Sequence, residues 1–175
     1  FMKRTNYAID KNVIYQFPTR VDTDIFYPMS KFEIRKQLNL PLNSTILVSV
    51  GRLSWIKGYD LLLETLVILK EIIPNILLIF VGEGEEREKL ERKSIELRVD
   101  KDILITGFLT HPEVALYINA ADLGVVASYR EGWSIAMLEI LACGKPIVST
   151  NVSGAHDLIV NGMNGYIVNN RDPQI

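Results

Sequence analysis

Cysteine is almost missing from this chain. Cys143 is the one thiol in 175 residues, so no intramolecular disulfide can form and a reducing compartment is expected. Within "LACGKP" it has small apolar neighbours and no flanking histidine, which favours packing over nucleophilic catalysis. Long hydrophobic runs are missing too. "NILLIFVG" is among the longest, far short of the ~18 residues of a membrane span, and no secretory signal is visible. Neither sign of charge dominates: 19 Lys and Arg stand against 21 Asp and Glu. That balance argues against a general nucleic-acid surface. Any phosphate contact has to be local, made by a few cations or backbone N–H groups. No internal repeat or low-complexity tract interrupts the chain.

What is present is an ordinary globular composition, 48% hydrophobic and 23% charged, at a length that suits one domain with a full core. Residues 1–29, including "KNVIYQFPTRVDTDIFYP", read as a hinge or linker with a short strand candidate and turn residues. From Ser30 the pattern becomes regular. "SKFEIRKQLNL" opens with a Ser-x-x-Glu capping box. Apolar strand candidates follow at 45–51, 76–82, 102–107, 123–128, 146–150 and 165–168. Helical patterns stand between them at 57–73, 85–98, 112–121 and 134–144, with a short helix in "AHDLIVNG". Continuous apolar strands alternating with helices predict a six-stranded, doubly wound, Rossmann-like parallel sheet over 30–175. At the far end, Asp172-Pro173 resembles the cap and first turn of a further helix, so a piece of a longer protein is expected.

Such sheets bind ligands beyond the carboxyl ends of their strands, and several candidates stand there. "GRLSWIKG" places Arg52 and Lys57 after the first strand, where two cations can neutralise a pyrophosphate beside helix N–H groups. "VGEGEER" supplies Gly82 and Gly84, through which backbone can approach a ligand. "TGFL" supplies Gly107, Phe108 and Leu109, with Phe108 a possible wall for a base. "REGWSIAMLEILACGKP" sets Glu131 in a loop and Glu139 about a turn and a half into the next helix. Were both helical, they would stand ~80° apart in azimuth and ~12 Å apart in rise. That exceeds the separation of glycosidase carboxylate pairs and suits hydroxyls at two ends of a long ligand. Between them, a helix start capped by Ser134 offers N–H groups to a phosphate.

"EGWSIAMLEILACGKPIV" resembles the E-x7-E segment of retaining GT-B-fold glycosyltransferases, the glycogen-synthase-like group. "GRLSWIKG", "VGEGEEREKL", "TGFL" and "SGAHDLIVNGMNGYIV" are similar to that group in order and spacing, and "VDTDIFYP" resembles the hinge before its C-terminal, donor-binding domain. The likeness runs from about Asn12 onward. It implies one half of a GT-B fold, binding a UDP- or GDP-sugar without a metal or other cofactor. Arg52 and Lys57 would contact the diphosphate, Glu139 the ribose hydroxyls and Glu131 the transferred sugar. The Ser134–Ile135–Ala136 backbone would seat the phosphate, and Gly82 to Gly84 with Gly107 to Leu109 would border the base. The acceptor would lie in an N-terminal domain of the same protein, so this chain alone would bind nucleotide and transfer nothing. Cytoplasmic location is expected, with membrane-surface association of the longer protein open.

The chain departs from that group at Ser153-Gly154-Ala155-His156-Asp157, where relatives often read Gly-Gly-x-Pro-Glu, and Ser134 replaces a frequent Gly or Pro. His111, before Pro112, reads as a turn residue. Asp22-Thr23-Asp24 matches a metal signature of another glycosyltransferase fold but sits in the hinge, where turn chemistry explains it. An epimerase or phosphorylase of similar fold and a non-catalytic binding module are the rival readings. An NAD dehydrogenase is disfavoured because Arg87 stands where a dinucleotide fingerprint needs its third glycine.

Overall fold

A computed structural model describes residues 19–173. The strand candidate in "KNVIYQF" and the last two residues lie outside them. The elements run α1 (Lys31–Gln37), β1 (Thr45–Val50), α2 (Tyr59–Ile72), β2 (Ile76–Val81), α3 (Arg87–Glu96), β3 (Ile103–Ile105), α4 (His111–Ala120), β4 (Leu123–Val126), α5 (Ile135–Ala142), β5 (Ile147–Thr150), α6 (Ala155–Leu158) and β6 (Gly165–Val168). The strands form one parallel sheet in the order β3-β2-β1-β4-β5-β6. Chain order reverses direction between β1 and β4, and the crevice opens at such a switch point.

The central strands β1 and β2 bury both faces, which is why they read as unbroken apolar runs, while β6 at one edge exposes Tyr166 and Val168. Leu47, Leu78 and Phe80 point to one side, where α2 lays Tyr59, Leu62, Leu63 and Leu66 on them. Ile46, Val48, Ile79 and Val81 face the other side with Ala121. Phe26, Ile118, Met137, Ile140 and Ile147 form the adjoining core there. Phe26 belongs to the segment expected as a hinge, yet the described part of that segment, residues 19–29, is docked. The Met29 N–H donates to Asn119 Oδ1 at 2.8 Å, and Asn119 Nδ2 donates to the Tyr27 carbonyl at 3.0 Å. Asp22 Oδ1 accepts the Asp24 N–H at 3.0 Å, so the aspartates make a local turn.

At the amino ends of β1 and β4, α1 is latched through a buried arginine. Arg35 donates to the carbonyls of Ala120 (2.8 Å), Leu42 (3.0 Å) and Ser44 (2.9 Å), and pairs with Asp122 at 2.7 Å. Asp122 also accepts from the Ile46 N–H at 2.8 Å.

Two boundaries differ from expectation in ways that matter. The helix expected from Lys57 begins at Tyr59, and Lys57 closes a separate 3-10 turn, Trp55–Lys57. Gly58 divides them at φ 66, and a Cβ there would meet the Ala127 carbonyl oxygen at 2.2 Å. Backbone crowding against the loop after β4 forces the break. The strand expected over 102–107 shortens to β3, because Asp100–Asp102 form a 3-10 turn before it.

Candidate functional site

Two adjoining cavities open at the carboxyl ends of the strands and share Val50 and Gly51. The first, about 460 Å³, is bordered by Arg52, Gly82, Glu83, Gly84, Phe108 and Leu109. The second, about 350 Å³, is bordered by Lys57, His111, Glu131, Trp133, the start of α5 and Glu139. A separate groove between α2 and the sheet is lined by Leu47, Leu62, Leu66, Leu78, Val125 and other apolar side chains, and gathers no charged group.

The glycines of the first cavity have a structural duty that the sequence reading assigned to a ligand. A Cβ on Gly82 would stand 2.0 Å from the Gly51 oxygen, and one on Gly84 2.3 Å from the Leu53 oxygen. The close approach is thus between the loops after β1 and β2, tied by Leu53 N–H to Glu83 O at 2.9 Å. Phe108 stands out at 85% exposure, while Leu109 packs partly into the core. Arg52 is three-quarters exposed and pairs with Glu85 at 3.0 Å. It borders this cavity and Lys57 the next, so the two cations are neighbours in the cleft without lining one chamber.

In the second cavity Lys57 Nζ meets Glu131 Oε1 at 2.7 Å, and Ser128 Oγ donates to the same oxygen at 2.7 Å. The Glu131 side chain is 9% exposed, held on the loop after β4 against the loop after β1. Tyr59 anchors the latter loop by donating to the Gly51 carbonyl at 3.0 Å. Burial, with the Glu131 charge adding to it, holds that phenol well above the ordinary tyrosine range. Ionised Tyr59 therefore plays no part.

Glu139 comes from the middle of α5 and is 8% exposed. Burial raises its carboxyl above the usual range, and the nearby His111 opposes that shift. Among the described residues no hydrogen bond reaches its carboxylate. Ser134 holds the N-cap position of α5, yet its hydroxyl makes no cap hydrogen bond, contrary to the expected side-chain cap. The first-turn N–H groups, including those of Ile135 and Ala136 at the cavity rim, therefore depend on other partners.

The structure adds two residues. His111, expected as a turn residue, is the first residue of α4 and borders the second cavity. The signal was available: Thr110, Pro112 and Glu113 spell a helix start just after β3, with Glu113 accepting the Thr110 N–H at 2.8 Å. Trp133 is the other, with Gly154 packed on its ring where a Cβ would stand 2.9 Å away. The divergent Ser153–Asp157 stretch thus supports the cleft wall. His156 bonds Asn151 at 3.1 Å on the surface and does not border either cavity. Cys143 is buried, and burial pushes its thiol up to about 11, which suits a packing role.

A Rossmann-like parallel sheet with a polar cleft at its strand-order switch makes this a doubly wound α/β domain. The chain belongs to the group 1 glycosyltransferase family, whose model matches residues 30–174. It is 30% identical over 164 residues to a D-inositol 3-phosphate glycosyltransferase of Thermobispora bispora, covering 88% of this chain and 38% of that protein. Among solved structures, sucrose-phosphate synthase from Thermosynechococcus elongatus superposes with a TM-score of 0.81 at 29% identity, over 90% of this chain and 40% of the other. Anabaena HepE in complex with UDP-glucose gives a TM-score of 0.74 at 25% identity, over 85% and 41%. The chain spans less than half the length of these relatives.

Proposed function

We propose that this chain is the donor-binding, C-terminal half of a retaining glycosyltransferase that uses a UDP- or GDP-sugar. The observation that carries the proposal is that Lys57, Glu131, Glu139 and the start of α5 border one cavity, with a second chamber for a base beside it. The UDP-glucose held by HepE supports a uridine donor.

In this reading the base enters the chamber of Gly82, Gly84, Phe108 and Leu109. The diphosphate lies between Lys57 and the Ser134–Ile135–Ala136 backbone, where an ammonium and helix N–H groups both favour negative charge. Arg52 can exchange its exposed partner Glu85 for the phosphate at little cost, since such surface pairs are weak. Glu139 accepts from the ribose, and Glu131 accepts from a sugar hydroxyl while its other contacts hold Lys57 in place. Charge on the departing diphosphate is stabilised where it develops, which is the largest contribution such a site makes to group transfer. No resident metal or cofactor is invoked. Transfer requires an acceptor domain to close over the cleft, connected through the chain ahead of the docked residues, and the whole protein acts on a glycan or lipid-linked acceptor in the cytoplasm or at its membrane surface.

Calorimetry with UDP, GDP and ADP tests this. Saturable binding of UDP or GDP is expected, weakened about tenfold or more in Lys57→Ala and in Glu139→Ala, the scale of one lost charge-assisted hydrogen bond. Unchanged affinity in both variants would remove the assignment. An epimerase reading would instead predict release of an altered sugar by the full-length enzyme without an acceptor.

A further inference from the structure

The two cavities meet at Val50 and Gly51. In a nucleoside diphosphate the ribose lies between base and diphosphate, so a ligand occupying both chambers puts its ribose at that junction. From the second chamber, α5 brings Glu139 and α4 brings His111 to the same wall. The two are close enough for the His111 charge to act on the Glu139 carboxyl.

The chemistry of a ribose diol calls for both. An ionised carboxylate only accepts hydrogen bonds, whereas each hydroxyl donates one and accepts others. Two hydroxyls that donate to Glu139 leave their oxygens short of a donor in a partly desolvated site, which costs affinity unless an N–H is supplied. Imidazole supplies one. The ring is also held from behind: Phe26, 2% exposed, lies with its ring centroid 6.1 Å from that of His111, tilted by 54°. Phe26 is fixed in turn by the Tyr27 and Met29 hydrogen bonds to Asn119 of α4. His111 is itself exposed, so Phe26 backs a ring that a ligand in the cavity can reach.

Resting on the donor-site reading above, we propose that His111 is a specificity-determining residue of the nucleotide seat, donating an N–H to a ribose hydroxyl that Glu139 also engages. It distinguishes ribonucleoside from deoxyribonucleoside diphosphates.

The test uses calorimetry of this chain with whichever of UDP and GDP binds, and with its 2′-deoxy and 3′-deoxy analogues. The unmodified chain should prefer the ribonucleotide over at least one analogue by about tenfold, the scale of a lost hydrogen bond to a charged or buried partner. In His111→Ala that preference should fall about threefold or more, toward what Glu139 alone sustains, with the melting temperature unchanged, and His111→Gln, which keeps an N–H donor, should restore most of it. If His111→Ala loses affinity equally for all three ligands, or keeps the preference intact, the proposal is overturned while nucleotide binding stands. If His111→Ala fails to fold, His111→Phe, which keeps a ring against Phe26 and removes the N–H, takes its place: an undiminished preference there overturns the proposal. Absence of nucleotide binding by the unmodified chain would instead sink the donor-site reading and this inference with it.

Discussion

At the amino ends of β1 and β4, Asp122 has both carboxylate oxygens engaged: Lys31 at 2.5 Å on one, Arg35 at 2.7 Å and the Ile46 N–H at 2.8 Å on the other. At the carboxyl ends of the same strands, Glu139 is buried where Asp122 is half-buried, and its carboxylate accepts no hydrogen bond from the described residues. Both carboxylates have a basic neighbour, buried Arg35 for Asp122 and exposed His111 for Glu139, yet one is saturated and the other left open. A charge whose partners all come from the protein contributes to the native state, because nothing remains to be gained by a ligand. A charge desolvated without partners costs stability and returns that free energy when a ligand supplies donors. Lys57 and Glu131 sit between the extremes, paired with each other but bordering the open cavity.

The largest expected effect breaks the saturated end. Arg35→Ala leaves three carbonyls and a carboxylate short of a donor, and should cost about 3–5 kcal/mol in urea unfolding, the scale of a buried pair with one partner removed. Nucleotide affinity of the folded fraction should not change. Loss below about 1 kcal/mol would show that the latch adds little beyond a surface pair.

A smaller effect sharpens the comparison through pH. Burial raises the Asp122 carboxyl, but the Lys31, Ile46 and Arg35 contacts outweigh it and hold the group below the ordinary range. Its contribution is therefore present above the unfolded-state value and lost as pH falls through the folded one. Glu139 has the opposite sign. Raised by burial, it favours the fold below the ordinary glutamate value and loses that contribution as pH rises through its folded value. Urea midpoints should place Asp122→Asn below the unmodified chain at neutral pH, and Glu139→Gln above it. Both differences should shrink on acidification. A Glu139→Gln difference that ignores pH would contradict the open-end description.

Much of this was legible in the sequence, and the gaps have physical causes. The strand series, its parallel order and the crevice rule follow from apolar runs such as Ile76–Val81, which both sheet faces bury. Glu131 stands out in the sequence as a loop residue just after a strand, and Glu139 as a residue of the helix that follows. The Arg35–Asp122 latch was not, since its partners lie 87 residues apart and no local pattern announces them. Lys57 was placed in α2 because periodicity does not register Gly58, whose position is dictated by the Ala127 carbonyl. Ser134 has the right residue type for a cap, yet its hydroxyl is not used. Residue type sets what a cap can do, and the loop's path decides whether it does so. His111 obeyed the same strand-end rule as the glutamates and was passed over because Pro112 suggested a turn, when proline in a helix's first turn marks its start.

The central claim is that a nucleotide diphosphate occupies the two chambers meeting at Val50–Gly51. Backbone amide NMR of the chain during titration with UDP tests it most directly, with GDP as the second titrant. Saturable shifts are expected, clustered at Gly82, Gly84, Leu109, Ser134, Ile135 and Glu139. Shifts concentrated instead along the apolar groove of Leu62, Leu66, Val125 and Val148 would contradict it.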